Sequence, residues 1–197
     1  MGEHDIHGLI LAGGQSTRMG TDKALLPIQG KPLLVRLVDQ MLSLTEHVTI
    51  SVGASGREAV YREILGELGE GVSFVLDRYP GCGPMSGLHA GLSAIAEGYV
   101  FVMACDMPRL SEELLHQLMV HTDSGADVIH VSGQPFHALY HARTLPRIEE
   151  ALEQKDYRLM RLLHGLHAFV VNPRENDGEQ LFTNLNTPAD YNSYIDE

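Results

Sequence analysis

Ile6-His7-Gly8-Leu9-Ile10-Leu11-Ala12-Gly13-Gly14 decides the class of the fold, because a short apolar run ending in paired glycines reads as a buried strand that delivers its chain into a tight turn. Working outward, Pro32 opens a segment in which Leu34, Leu37, Val38 and Met41 recur at helical spacing, and the β-rich run Val48 to Val52 follows. The unit is strand, loop, helix, strand. It is repeated by a helix at Arg57 to Leu68, a strand at Val72 to Leu76, a helix from about Ser86 to Ala96 and a strand at Tyr99 to Ala104. This last strand is apolar throughout, as expected of a strand covered on both faces in a parallel sheet. Ser111 then caps a helix with Glu112 and Glu113 in its first turn and Leu114, Leu115, Leu118 and Met119 on one face, before a strand at Asp127 to Val131. The predicted class is α/β, a doubly wound, mostly parallel sheet in a single domain.

Beyond Gly133 the alternation loosens into an apolar piece at Ala138 to Tyr140, helices near Pro146 to Glu153 and Arg158 to Leu163, a strand at His167 to Val171 and a polar loop through Gly178. Thr187 is placed to cap a last helix begun by Pro188. Residues of about 1–110 are expected to form a nucleotide-binding half and about 111–197 an acceptor-binding half of the same domain, with ligands at the carboxyl ends of the strands.

The 197 residues carry 14 Lys plus Arg against 26 Asp plus Glu, a net charge of −12, which argues against broad attraction to nucleic acid or to an anionic membrane. An anionic ligand would therefore need a locally built site. The strongly apolar stretch Tyr99 to Cys105 is far too short to span a bilayer, and the opening residues lack the basic-then-apolar order of an export signal, so the cytoplasm is the expected compartment. Cys82 and Cys105 are read as free thiols, and the pairs His137/His141 and His164/His167 lack the glutamate of a zinc helix motif.

Chemistry concentrates in Leu11-Ala12-Gly13-Gly14-Gln15-Ser16-Thr17-Arg18-Met19-Gly20-Thr21-Asp22-Lys23. Glycines at a strand end let backbone N–H groups approach phosphate oxygens, and Arg18 and Lys23 supply positive charge that the molecule otherwise lacks. The stretch fits neither G-x-x-x-x-G-K-[ST] nor G-x-G-x-x-G. Asp106 stands where an apolar strand runs out, a position that suits a hard cation in a ligand crevice and equally suits a helix cap or turn. Asp77 precedes a loop rich in glycine and proline, Pro80 to Gly87, open to a nucleoside or simply a turn. Asn184 and Asn186, two apart, would face one side if Phe182 to Asn186 is extended.

The glycine stretch resembles the loop of nucleoside-triphosphate transferases with an L-A-G-G-x-x-x-R-M-G-x-x-K pattern. Together with Ala24-Leu25-Leu26-Pro27-Ile28-Gln29-Gly30-Lys31-Pro32-Leu33, Asp77 before Tyr79-Pro80-Gly81-Cys82-Gly83-Pro84-Met85-Ser86-Gly87, Cys105-Asp106-Met107-Pro108 and Asn184-Leu185-Asn186-Thr187-Pro188, it is most similar to the molybdenum cofactor guanylyltransferases. The resemblance runs along nearly the whole chain. It implies a Rossmann-like fold of the nucleotide-diphospho-sugar transferase type, and transfer of GMP from GTP to molybdopterin with loss of pyrophosphate. It further implies nucleotide contacts from Leu11, Ala12, Gly13, Gly14, Lys23, Asp77 and Asp106, with Arg18, Lys23 and Asp106 as the catalytic set. Mg²⁺ is implied on Asp106, and Asn184 and Asn186 on the acceptor, with Pro135, Phe136 and His137 in a loop nearby. Cofactor-biosynthesis proteins and molybdoenzyme apoproteins are the implied protein partners.

The sequence departs from the pattern after its second strand, where Ser51-Val52-Gly53-Ala54 holds no Asn, so either Ser51 or the backbone takes over that nucleotide contact. The chemistry expected is direct in-line displacement at the α-phosphorus. Two other readings share these residues: a transferase using CTP or a sugar phosphate, and a non-catalytic nucleotide-binding carrier.

Overall fold

The computed structural model describes residues 6–14, 20–53, 56–172 and 179–196. Within them the strands are β1 (His7–Leu11), a small hairpin β2 (Pro27–Ile28) and β3 (Lys31–Pro32), β4 (His47–Ser51), β5 (Val72–Val75), β6 (Tyr99–Ala104), β7 (Val128–Val131), β8 (Ala138–His141) and β9 (Ala168–Val171). The helices are α1 (Leu33–Leu42), α2 (Arg57–Leu65), α3 (Pro84–Ser93), α4 (Glu112–Met119), α5 (Leu145–Glu153), α6 (Leu159–His164) and α7 (Pro188–Ile195).

Seven strands pair in the order β5-β4-β1-β6-β8-β7-β9. β1 lies parallel to both β4 and β6, and β8 runs antiparallel to β6 and β7. The α/β, mostly parallel reading therefore stands, with β8, the apolar piece at Ala138 to Tyr140, lying between β6 and β7 in an antiparallel direction that the local sequence does not announce. The chain moves outward from β1 to β4 and β5, then returns to the other side of β1 as β6. This reversal opens a crevice at the carboxyl ends of β1 and β6.

Side-chain alternation explains why strands with two apolar faces are needed. Ile10, Phe101 and Met103 point to the layer formed by α1, α2 and α4, whereas Leu9, Leu11, Val100 and Val102 point to α3, α5 and α6. Leu34, Leu37, Val38 and Met41, the helical stripe of α1, are all fully buried. Helix ends follow local chemistry. Ser111 accepts from Leu114 N to start α4, and Thr187 and Asp190 form a reciprocal capping box at α7.

Local differences from the sequence reading have simple causes. Helix α2 stops at Leu65 and not Leu68, because Gly66 takes φ 52° and passes the chain into a 3-10 turn. Helix α3 starts two residues early, with Pro84 supplying a preset φ at the first turn. Phe182 to Asn186 is not a strand: Glu179–Phe182 is a 3-10 turn, and the following segment is held by Leu185 N donating to Asp106 O at 2.8 Å. No helix among the described residues is long and apolar enough to cross a membrane.

Candidate functional site

The last residues of β1, β4 and β6 are level, since Leu11 pairs with both Ser51 and Ala104. Beyond them lies a cavity of about 790 Å³. Strand β1 enters it through Leu11, Ala12, Gly13 and Gly14, all of which line the cavity. Gly13 is required there by packing. A Cβ on it would lie 2.8 Å from Gly53 Cα and 2.9 Å from Gly53 N, so the turns after β1 and β4 touch backbone to backbone. Gly53 itself sits at φ 72°, where a side chain is strained in any case.

Lys23 reaches the cavity from a short 3-10 turn, Lys23–Leu25, that Asp22 caps by accepting from Ala24 N at 3.1 Å. Its ammonium stands 3.1 Å from Asp106 Oδ2 and donates to Asn186 Oδ1 at 2.8 Å. Asp106 lies in the turn that follows β6, and its carbonyl accepts from Leu185 N. That contact brings the tail across the cavity mouth, with Asn184 and Asn186 both on the lining. Asp190 Oδ2 fixes the same tail by accepting from Asn186 N and Thr187 N. Residues 23, 106 and 186 thus meet within hydrogen-bonding distance although the chain separates them widely.

Asp77 lines the opposite side, beside Pro80, Gly81, Gly83, Pro84 and Gly87. Its Oδ1 accepts from Ser51 Oγ at 2.9 Å, and its backbone N donates to Gly53 O at 2.9 Å. Ser51, fully buried, therefore orients Asp77, and Gly53 supports it through the main chain. Of the loop expected near an acceptor, Phe136 lines the cavity and His137 sits beneath it. His137 takes φ 52°, donates through Nε2 to Arg109 O at 2.7 Å and packs edge-on between Phe101 and Phe182. Burial lowers its pKa to about 4, so the ring is neutral and structural. Arg18 lies outside the described residues.

Two charged lining residues escaped the sequence reading as site residues, Asp22 and Arg57. Arg57 Nη1 donates to Ala12 O at 3.0 Å and Gly14 O at 2.8 Å, and its Nε lies 3.7 Å from Asp22 Oδ2. A clue to Arg57 was present, since a cation at the first position of a helix opposes the helix dipole and needs a local reason. Cys105 is buried and its thiol pKa is raised by that burial, so it is a packing group. Cys82 is half-buried, and both cysteines are free.

The donors fit a hard divalent cation in one respect. Asp106 offers a carboxylate on the cavity wall, and no group of three or more His, Cys, Asp or Glu gathers around a point among the described residues. That carboxylate is an oxygen ligand of the kind a hard divalent cation takes, and Lys23 stands 3.1 Å from it.

The model of the MobA-like NTP transferase domain matches residues 8–170. A probable molybdenum cofactor guanylyltransferase of Natronomonas pharaonis is 34% identical over 202 residues, covering 96% of each chain. A molybdenum cofactor guanylyltransferase of Vibrio vulnificus is 31% identical over 191 residues, covering 94% of this chain and 93% of its own. Among solved structures, the molybdopterin-guanine dinucleotide biosynthesis protein A of Archaeoglobus fulgidus shares the fold, with a TM-score of 0.79 at 24% identity over 97% of each chain. The glycine turn after β1, Lys23, Asp77 and Asp106 all fall inside the matched span, and with relatives of this identity along nearly its full length the chain belongs to the MobA-like NTP transferase domain family.

Proposed function

We propose that the chain transfers GMP from GTP to molybdopterin, releasing pyrophosphate and forming molybdopterin guanine dinucleotide. The observation that carries this reading is the meeting of Lys23, Asp106 and Asn186 on one side of a cavity whose other walls are the glycine turn and the Asp77 loop. The names of the full-length relatives supply the acceptor and the base.

A molecule with net charge −12 must build any polyanion site from local groups. Gly13 and Gly14 present backbone without side chains at the strand end, and Lys23 places an ammonium against the same space. Asp77, oriented by Ser51, provides a carboxylate suited to accepting from the N–H edge of a guanine. Asn184 and Asn186 add neutral amides, which bind a pterin edge or phosphate without adding like charge.

An oxygen of the acceptor phosphate attacks the α-phosphorus of GTP, the bond to the bridging oxygen breaks in line, and pyrophosphate departs with that electron pair. No covalent enzyme intermediate and no general base are needed, because the attacking phosphate is already ionised at neutral pH. The chain's part is to hold two polyanions in line and to stabilise charge moving toward the leaving group. Lys23 does this as a cation, and Arg18 is assigned the same role. Mg²⁺, held by Asp106, would offset charge on the triphosphate and pyrophosphate oxygens. The first half of the chain then serves the nucleotide, and Phe136, Asn184 and Asn186 from the second half serve the acceptor, in a cytoplasmic enzyme.

Pyrophosphate release measured with GTP, CTP, ATP and UTP, each with and without molybdopterin and Mg²⁺, tests the whole reading. The expected result is release only with GTP, molybdopterin and the ion together. Release with CTP in preference to GTP would reassign the base, and tight nucleotide binding without release would make the chain a carrier.

A further inference from the structure

We infer that Arg57 and Asp22 form a clasp that locks the glycine turn to the segment bearing Lys23, so that Arg57 is a positioning residue for phosphate binding and not a phosphate ligand. This rests on the reading of the cavity as a triphosphate site and adds the device that keeps that site in shape.

Two carbonyls of the glycine turn, Ala12 O and Gly14 O, accept from the same guanidinium nitrogen. A trans peptide sets its N–H opposite its C=O, so turning Ala12 O toward Arg57 sends Gly13 N–H the other way. The guanidinium therefore dictates which way this amide faces. On its other side, Arg57 Nε faces Asp22 Oδ2 at 3.7 Å. The same oxygen accepts from Tyr61 OH at 2.7 Å, and Asp22 Oδ1 caps the turn that carries Lys23. Arg57 and Tyr61 lie one helical turn apart on α2, so a rigid element holds both ends of the arrangement. Burial, then the bond to Asp22, raise the Tyr61 pKa, which keeps the phenol a donor.

The placement of Arg57 makes sense only with such partners. It is the first residue of α2, after Gly56, which offers no side-chain cap, and there a cation meets the positive end of the helix dipole. Asp22 and the two carbonyls offset that repulsion. A guanidinium is the side chain that can serve carbonyls on one side and a carboxylate on the other, since its donors sit in a fixed plane. Lysine cannot span both.

The sign of one substitution separates the clasp from a direct contact. Asp22→Asn removes a negative charge from the wall of a polyanion site, so electrostatics alone predicts tighter phosphate binding, as does release of Arg57 to act as a ligand. The clasp predicts the reverse. Calorimetry on the full chain with Mg-GTP and with Mg-tripolyphosphate should show binding weakened about tenfold in Asp22→Asn and in Arg57→Ala, with Arg57→Lys giving little rescue. Tyr61→Phe, which removes one hydroxyl and spares the packing, should weaken both by about threefold. In turnover, KM for GTP should rise while KM for the acceptor holds, a split that general destabilisation would not produce. Equal or tighter binding by Asp22→Asn would overturn the clasp. If the unsubstituted chain binds neither probe, the functional reading fails first; if it binds both and all variants match it, the clasp alone fails.

Discussion

Gly13 and Gly14 stand side by side in the glycine turn, and the structure assigns them different burdens. A methyl group on Gly13 would place carbon 2.8 Å from Gly53 Cα, against ordinary carbon contacts of about 3.5–4.0 Å. Gly53 is backbone and cannot rotate away, so the two turns must separate by roughly 1 Å. Overpacking of this kind costs about 1–3 kcal/mol, and the stiffer unfolded chain of an alanine variant returns about 0.4–1 kcal/mol. Gly13→Ala should therefore lose about 1–2 kcal/mol net. A Cβ on Gly14 meets nothing within 4 Å, so Gly14→Ala should be neutral or gain up to about 1 kcal/mol. In urea, with an m-value of about 2–3 kcal/mol/M, the two midpoints should differ by roughly 0.5–1 M. A Gly13→Ala protein that melts at or above Gly14→Ala would refute the close approach of the β1 and β4 turns, and with it the geometry of the cavity wall.

Three further outcomes are expected. Lys23→Ala and Asp106→Ala should each lower pyrophosphate release by several powers of ten while the urea midpoint changes little, because both side chains are partly exposed at the cavity and neither anchors the core; near-normal turnover by either removes it from the chemistry. Asp77→Asn should cut the preference for GTP over the other nucleotides by tenfold or more, of the order of a lost charged hydrogen bond, in competition assays, and an unchanged ratio would move base recognition elsewhere in the loop. His137 has a folded pKa of about 4 against 6.5, so the unfolded chain takes the proton first. The native state then loses stability as pH falls from 6.5 toward 4, by up to about 3 kcal/mol, and is unaffected above that window. The stability gap between the parent chain and His137→Gln should shrink between pH 7 and pH 4.5; a constant gap would show that His137 titrates normally.

The elements themselves were legible because their signals are local. Apolar runs at Leu9 to Leu11 and Tyr99 to Ala104, the stripe Leu34, Leu37, Val38 and Met41, and the caps Ser111 and Thr187 each depend on neighbours within a few residues, and each lies where periodicity or hydrogen-bonding chemistry put it. The candidate residues Leu11 to Gly14, Lys23, Asp77, Asp106, Asn184 and Asn186 all line one cavity, and Arg18 lies outside the described residues. The antiparallel direction of β8 and the two-residue hairpin strands had no such mark, since strand direction is a property of pairing and two residues show no period.

Sequence alone thus determined the α/β alternation, the glycine turn and most of the polar side chains that line the cavity. Tertiary structure decided that Lys23 faces Asp106 and Asn186, that Ser51 holds Asp77, and that Arg57 binds the carbonyls of Ala12 and Gly14. The reason is that helix and strand signals arise from forces acting along the chain, whereas a site of paired charges arises from the sheet's strand order, which brings together groups dozens of residues apart.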